Sequence, residues 1–463
     1  MDGCGYDGDR PYMAINLNGA RVSLYASLKV GLIDQCGRLV TQLRKSRMLA
    51  MVLSTAVVVL LFADHNILAP NLSAVAEEFG FSDAEKDRYL GGYIAVTFFG
   101  LGAPASLLVG CMADMMDRKK LFVGMVIIGQ LGAFGTVFVR KFDALLLATR
   151  AITGLAIGGG LPLLYSLVSD LVDGSRRTEA AGALAIATSL GMASGQQALA
   201  GFLGRCTSLG WRFPFLLVSV PGLLLSVAVL VATEDPQRGR LERVLQEHFS
   251  SGGEYNMRPD RKSLWLLATT PTAVMAIFQG IPGCVPGGVF SVYLNDFLHR
   301  DRGLTIEQAT VVLITYRLAA VLGQYLGSMG GQRLYNRSPG LQPTLMGVTI
   351  LMGTVPSLLI VKYSGGVFGL YVFFSALGGF LLAITGPNVR SILMNVTLPS
   401  TRGTAFGVFN LSDDVGRGLG PAIVSMIVER RGRESAFTCT MAAWVLCGMI
   451  LLSMAFTLER DER

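Results

Sequence analysis

Long uncharged runs recur along the chain, and short polar segments separate them. Residues 89–113, 121–139, 180–204, 213–233, 264–295, 341–361, 363–389 and 436–458 hold no Asp, Glu, Lys or Arg. About 20 apolar residues suffice for a helix to cross a bilayer, and a buried helix of a soluble protein rarely stays uncharged that long. The pattern predicts twelve spans, at about 48–70, 89–110, 121–139, 144–168, 179–204, 213–234, 264–297, 305–330, 341–361, 366–397, 402–428 and 434–458. Turn signals fall at the cuts: Asp173-Gly174, Asp235-Pro236, Ser338-Pro339-Gly340, Ser364-Gly365-Gly366 and Leu398-Pro399-Ser400. The longest polar interruption after the first 47 residues, 235–262, divides six spans from six, as two pseudo-repeated halves would. The expected fold class is therefore an all-α membrane protein, with twelve transmembrane helices in two pseudo-symmetric six-helix bundles. Its parts are a basic tail 1–47, a first bundle 48–234, a linker 235–262, a second bundle 263–458 and an end segment 459–463.

Composition agrees. Hydrophobic residues make up 51% and charged ones 15%, against about a quarter charged in soluble domains. The excess of +7 is not evenly spread. With the N-terminus inside, 23 Lys and Arg fall in cytosolic segments and 12 in outer loops, which places both ends in the cytosol. The charge thus reads as a topology signal, and no nucleic-acid partner is expected. The first 46 residues lack a long apolar core, so they are not a cleaved signal peptide. Within them, 22–43 reads either as a helix lying on the membrane surface or as a flexible basic tail. The seven cysteines have neither disulfide nor metal spacing. A phosphate-binding Gly-x-x-x-x-Gly-Lys-Ser/Thr loop and a Gly-x-Ser-x-Gly elbow are both missing, so neither an ATP-driven engine, a cofactor nor an enzymatic activity is expected. The sequon Asn71-Leu72-Ser73 falls on an outer loop.

Ionisable groups inside spans are costly, about 3 kcal/mol each on insertion scales, and by default mark function. Span 1 ends with Asp64-His65-Asn66, and span 4 carries Arg150. At about 1.5 Å per residue both lie roughly 9 Å below the outer surface, so an Asp64–Arg150 pair is geometrically allowed. It reads either as a substrate or proton site or as a structural ion pair. In the second half, Tyr316 and Arg317 of span 8 and Asp413, Asp414 and Arg417 of span 11 fall near the midplane. Two acids and two bases would balance there, and one acid could carry a proton. Gln196 with Gln197, Gln279, and Asn388 with Arg390 can hydrogen-bond a ligand or a neighbouring helix. Span 7 is interrupted by Gln279-Gly-Ile-Pro-Gly-Cys-Val-Pro-Gly-Gly288, a broken stretch expected to wall a cavity or form a gate.

Gly110-Cys-Met-Ala-Asp114-Met-Met-Asp-Arg118-Lys119-Lys120, between spans 2 and 3, resembles the inter-helix loop motif of the major facilitator superfamily, with Met115 in place of the usual arginine. The second-half counterpart, Gly327 to Arg333, is degenerate, with Gln332 near the acidic position. Within the superfamily the chain is most similar to the spinster-like transporters. Asp64 followed by a basic residue, Thr149-Arg150, Ser169-Asp170, Trp211-Arg-Phe-Pro-Phe, Pro221-Gly and Glu234-Asp-Pro-Gln-Arg-Gly239 carry that likeness over about 50–460. The resemblance implies alternating access, a lysophospholipid or sphingolipid-type cargo, proton coupling, and cavity-lining, coupling roles for Asp64 and Arg150. The branch's acid seven residues after the arginine is Ile157 here. The expectation is a monomeric secondary transporter in the lipid bilayer, carrying a lipid-like or other small-molecule cargo with protons as the coupling ion. The rival readings are a transporter of a small polar metabolite or organic ion, and a non-transporting receptor or scaffold.

Overall fold

The computed structural model describes residues 46–68, 71–82, 85–195, 209–239, 241–242 and 259–462. The basic tail with its segment 22–43, Gln196 with Gln197, and linker residues 243–258 lie outside the described residues.

The first bundle comprises α1 (Arg47–Ile67), α3 (Ile94–Met115), α4 (Arg118–Thr136), α5 (Ala144–Leu171), α6 (Arg177–Ala193) and α7 (Phe213–Ala232). The second is built from α9 (Pro271–Phe278) with α10 (Gly280–Arg300), α11 (Ile306–Arg337), α12 (Leu341–Lys362), α13 (Phe368–Ala383) with α14 (Thr385–Val396), α15 (Arg402–Arg431) and α16 (Arg433–Met454). Short helices α2 (Leu72–Phe79), α8 (Arg261–Thr269) and α17 (Leu458–Asp461) sit at the ends. Helix starts follow local chemistry. Asp117 accepts from Lys120 N at the head of α4, and Asp143 accepts from Leu145 N and Leu146 N at the head of α5. Thr305 and Gln308 close a capping box on α11.

Nine described stretches are long and apolar enough to cross a membrane. Helices α4, α6 and α15 complete the twelve. The first opens on Arg118-Lys119-Lys120, the second is described for only 17 residues, and the third carries Asp413, Asp414 and Arg417. The outward faces of the bundles are apolar: Leu108, Leu131, Leu224, Leu318, Met352 and Phe373 are exposed, as lipid contact requires.

The structure refines two expectations. The outer segment after span 1 contains α2 and, further on, a π-helical turn over Lys86–Tyr93. Asn71 is buried there and its amide donates to Ile67 O at 2.9 Å, so the sequon is not presented as an open site. Span 7 breaks at Thr270 and Gln279, while α10 runs on through Pro282 and Pro286. Pro282 stands in the first turn of α10, where its missing N–H has no ladder partner to lose.

Packing inside the first bundle depends on backbone approach between α3 and α5. A Cβ on Gly158 would strike the carbonyl oxygen of Gly102, and one on Gly154 the carbonyl of Phe98. Gly158→Ala is therefore expected to force the two helices apart and to cost about 1–3 kcal/mol, read as a lower thermal midpoint in detergent. An unchanged midpoint would show that the contact yields cheaply.

At the far end from the linker, one knot ties three connections. Arg212 on the approach to α7 donates to Glu78 of α2 at 2.9 and 2.6 Å and to Val139 O at 2.7 Å, and Trp211 Nε1 donates to Glu78 at 2.8 Å. The hydrogen bonds from Arg212 hold the Glu78 carboxyl below its ordinary 4.5. A lowered folded-state value means that the stabilisation is full above the ordinary value and is lost as pH falls through the folded one. Glu78→Gln is thus expected to lower the thermal midpoint at neutral pH, with the gap to wild type closing in acid. A gap that persists at pH 3 would remove the carboxylate charge from the account.

Candidate functional site

A cavity of about 700 Å³ opens among α10 to α16, with Phe99 of α3 as its contribution from the first bundle. Gln279, Tyr316, Asp413, Asp414 and Arg417, all singled out in the sequence, line it. The remaining wall is mostly small and apolar, with glycines along α10 and the aromatic side chains of Phe99, Phe409 and Trp444. Trp444 is fixed by its indole N–H, which donates to Gly283 O at 2.9 Å.

The charged group differs from the expected one. Arg317 is exposed on α11 and does not reach the cavity. Successive helical residues are turned by about 100°, so a helix that points Tyr316 inward points Arg317 outward. Its place is taken by Arg390, which lines the cavity from α14. The Arg390 guanidinium lies over Tyr165 at 5.3 Å and Phe409 at 5.2 Å, and its Nη1 donates to Gly386 O at 3.0 Å. Its Nη2 stands 3.6 Å from Asp413, which also faces Arg417 at 3.7 Å; Arg417 in turn pairs with Asp414 at 3.1 Å. Asn388, two residues earlier on α14, points the other way. It is fully buried and bonds Gly327 O, Ile384 O and the Gln342 amide, an inter-helix role.

Asp64 and Arg150 come together but are not among the residues that line this cavity. Both are buried inside the first bundle, 3.5 Å apart, away from the cavity wall. Arg150 Nη2 donates to Thr136 at 2.6 Å and the guanidinium sits 5.0 Å over Phe215, whereas neither Asp64 oxygen has a hydrogen-bond partner. His65 stacks on Phe98 with centroids 4.3 Å apart, and Phe98 packs on the cavity residue Phe99. In this conformation an aromatic layer therefore separates the pair from the cavity.

Below the cavity, at the end where the linker joins, the bundles are pinned together. Helix α3 packs on α15, and α6 on α11 and α14. Gly110 and Gly403 meet backbone to backbone, each leaving no room for a Cβ on the other. Asp114 accepts from Gly403 N at 2.8 Å and Thr404 N at 2.7 Å, capping α15 across the interface. The mirror contact is Gln332 of α11, which accepts from Thr178 N of α6 at 2.8 Å. Arg118 pairs with Asp170 at 2.5 Å and with Ser166, while Lys119 donates to Thr233 O at 2.7 Å. Arg402, 1% exposed, reaches Ser169 and Asp170 of the first bundle and Glu242 of the linker. Glu242 also holds Arg177 at 2.5 Å. Burial pushes the Glu242 carboxyl up, but the Arg402 and Arg177 guanidiniums outweigh it and hold it below its ordinary value. It stays ionised at neutral pH. The sequence did not single out Arg402, Arg177 or Glu242; the only available signal was a basic pair and a lone Arg flanking span starts.

The Major Facilitator Superfamily model matches residues 54–421 and 287–463; the chain belongs to that family and is a multi-pass membrane transporter, not an enzyme. Spinster homolog 1 of Bos taurus is 25% identical over 80% of this chain and 74% of its own length. The gentisate transporter of Corynebacterium glutamicum is 25% identical over 60% of each chain. Among solved structures, the human organic anion transporter MFSD10 superposes with a TM-score of 0.65 at 18% identity, covering 88% of this chain and 99% of that one. A bacterial homolog of the human lysosomal transporter spinster, inward-facing and unoccupied, gives 0.58 at 17%, covering 90% and 98%.

Proposed function

We propose that this chain is a secondary transporter that moves an amphipathic organic solute by alternating access, lysophospholipids and sphingolipid-like molecules being among the cargo it fits. The observation that carries the reading is the cavity: aromatic walls for an apolar body, and ion pairs at Arg390 and Arg417 for a polar head, above a sealed interface. On α15 the charged part of the cavity begins about 16 Å from the sealed end, at a rise of 1.5 Å per residue from Arg402 to Asp413. With both chain ends cytosolic, as the distribution of basic residues supports, the sealed end faces the cytosol and the cavity faces outward. The resemblance to the spinster-like branch implies a lipid-like cargo, and the name of the gentisate transporter an aromatic acid; both solutes are amphipathic. Asp64 and Arg150 would then act through His65 and the Phe98–Phe99 layer, which stand between them and the bound solute. The test is a thermal-shift and liposome-uptake screen with lysolipids, sphingoid bases, aromatic acids and sugars side by side. Stabilisation and uptake by amphiphiles is expected. A response to sugars alone would overturn the reading.

A further inference from the structure

We propose that the short helix α8, with Phe456 beside it, is a docking surface for anionic phospholipid in the leaflet at the linker end of the molecule. The proposal goes beyond the transport reading and does not depend on the cargo. Helix α8, Arg261-Lys-Ser-Leu-Trp-Leu-Leu-Ala-Thr269, has nine residues, too few to hold in water by propensity alone. Its own side chains close its ends. Asp260 accepts from Ser263 N at 2.7 Å and from Ser263 Oγ at 2.5 Å, which serves the first turn. Thr269 Oγ1 donates to Trp265 O at 2.8 Å and Thr270 Oγ1 to Leu266 O at 2.7 Å, which covers carbonyls of the last turn. A helix served at both ends can lie at the edge of the hydrocarbon with few polar groups left bare.

Its side chains then sort by face. Ser263 is buried, and Leu267, four residues on, packs on the hydrophobic core. At about 100° per residue, the direction opposite that pair belongs to Trp265, with Arg261 one turn before it. Trp265 is 70% exposed, and Leu264 and Leu266 on its flanks are exposed too. The next stretch long and apolar enough to cross the membrane starts at Pro271, two residues after α8 ends, so α8 lies at the membrane surface. Phe456, 90% exposed, stands at the same level: its neighbour Thr457 shares a hydrogen bond of 2.6 Å with Thr272, and Asp461 accepts from Thr272 N at 2.9 Å. The two aromatic side chains extend the apolar outer face of the bundle to the headgroup level, where such rings collect.

Charge selects the occupant. Arg261 and Lys262 are exposed, and neither makes an ion pair among the described residues; Lys262 is within Coulomb range of Asp260, whose carboxylate is engaged by Ser263. A second copy docked face to face would bring the same two cations together. Headgroups with a net negative charge satisfy the cations while their chains meet the rings, in continuity with the lipid-facing surface. Helices α8, α9 and α10 are one segment, turned at Thr270 and Gln279, and Gly280, Gly283, Gly287 and Gly288 of α10 wall the cavity. Lipid held at α8 fixes the near end of that wall.

The chain supplies its own probe. It has three tryptophans, and the other two, Trp211 and Trp444, are each 4% exposed, so a quencher carried by lipid reads Trp265 above all. The measurement is made on the full chain in liposomes containing brominated phosphatidylserine or brominated phosphatidylcholine, with Trp265→Phe identifying the quenched component. Phosphatidylserine is expected to quench at the lower mole fraction, by about fivefold for each cation engaged. Arg261→Gln combined with Lys262→Gln should bring the two lipids level. Equal quenching by both lipids in the unmodified protein would overturn the anionic assignment. Quenching by aqueous acrylamide but by neither lipid would overturn the membrane contact. Shielding of Trp265 from lipid and acrylamide alike would give the face to a protein surface, a second copy included, and would overturn the proposal as well. The unmodified protein decides each of these, whether or not a variant folds, and none of them bears on the transport reading, which its own uptake screen decides.

Discussion

Replacing Arg402 by alanine is expected to unseal the linker end of the molecule. Arg402 is buried, and it joins Ser169 and Asp170 of the first bundle to Glu242 of the linker and Met394 O of its own half. Its loss leaves Glu242 with Arg177, and Asp170 with Arg118 and the Gly239 N–H, as their described partners. Removing one partner of a buried pair costs about 3–5 kcal/mol. That cost falls on the sealed state only, because the contacts do not exist once the bundles part. A shift of that size moves the ratio of sealed to open molecules more than about a hundredfold. Spin labels at Met116 and Leu398, both exposed and on opposite bundles at that end, would report it as a longer distance. A distance distribution unchanged from wild type would remove Arg402 from the seal.

The second large effect concerns the pair inside the first bundle, and it is asymmetric. Arg150 is the one charged group paired with Asp64 among the described residues, whereas Arg150 also has Thr136 and the Phe215 face. Arg150→Met should therefore destabilise the fold by about 3–5 kcal/mol, and Asp64→Asn by clearly less. Adding Asp64→Asn to Arg150→Met should recover much of the loss, because no stranded charge remains. Thermal midpoints of the three variants in detergent give the order. If Asp64→Asn proves the more damaging, the account of who depends on whom is wrong. Asp64→Asn is further expected to stay folded and lose transport, and full transport in that variant would take Asp64 out of the mechanism.

The spans were legible because uncharged runs of bilayer length leave few alternatives, and α12, α13 with α14, and α16 fall close to the expected limits. What an uncharged run does not encode is the phase of its helix. Arg317 and Arg390 look alike in sequence, yet one neighbours an inward-facing Tyr316 and points out, and the other turns into the cavity opposite Asn388. The seal was half legible. Gly110, Asp114, Arg118 and Lys119 announced a motif, but their partners at Gly403, Thr404, Asp170 and Thr233 lie up to 293 residues away. No local pattern names such partners. Asp64 and Arg150 could be matched in depth from chain counting, but the Phe98–Phe99 layer that screens them from the cavity could not.

Asp114 on the head of α15 and Gln332 on the head of α11's partner α6 are related by the pseudo-twofold, and only one of them is an anion. A helix N-terminus carries partial positive charge, so the carboxylate holds its helix more firmly than the amide holds the other. The two caps across the bundle interface therefore differ in charge, and an Asp114→Asn variant would make them alike.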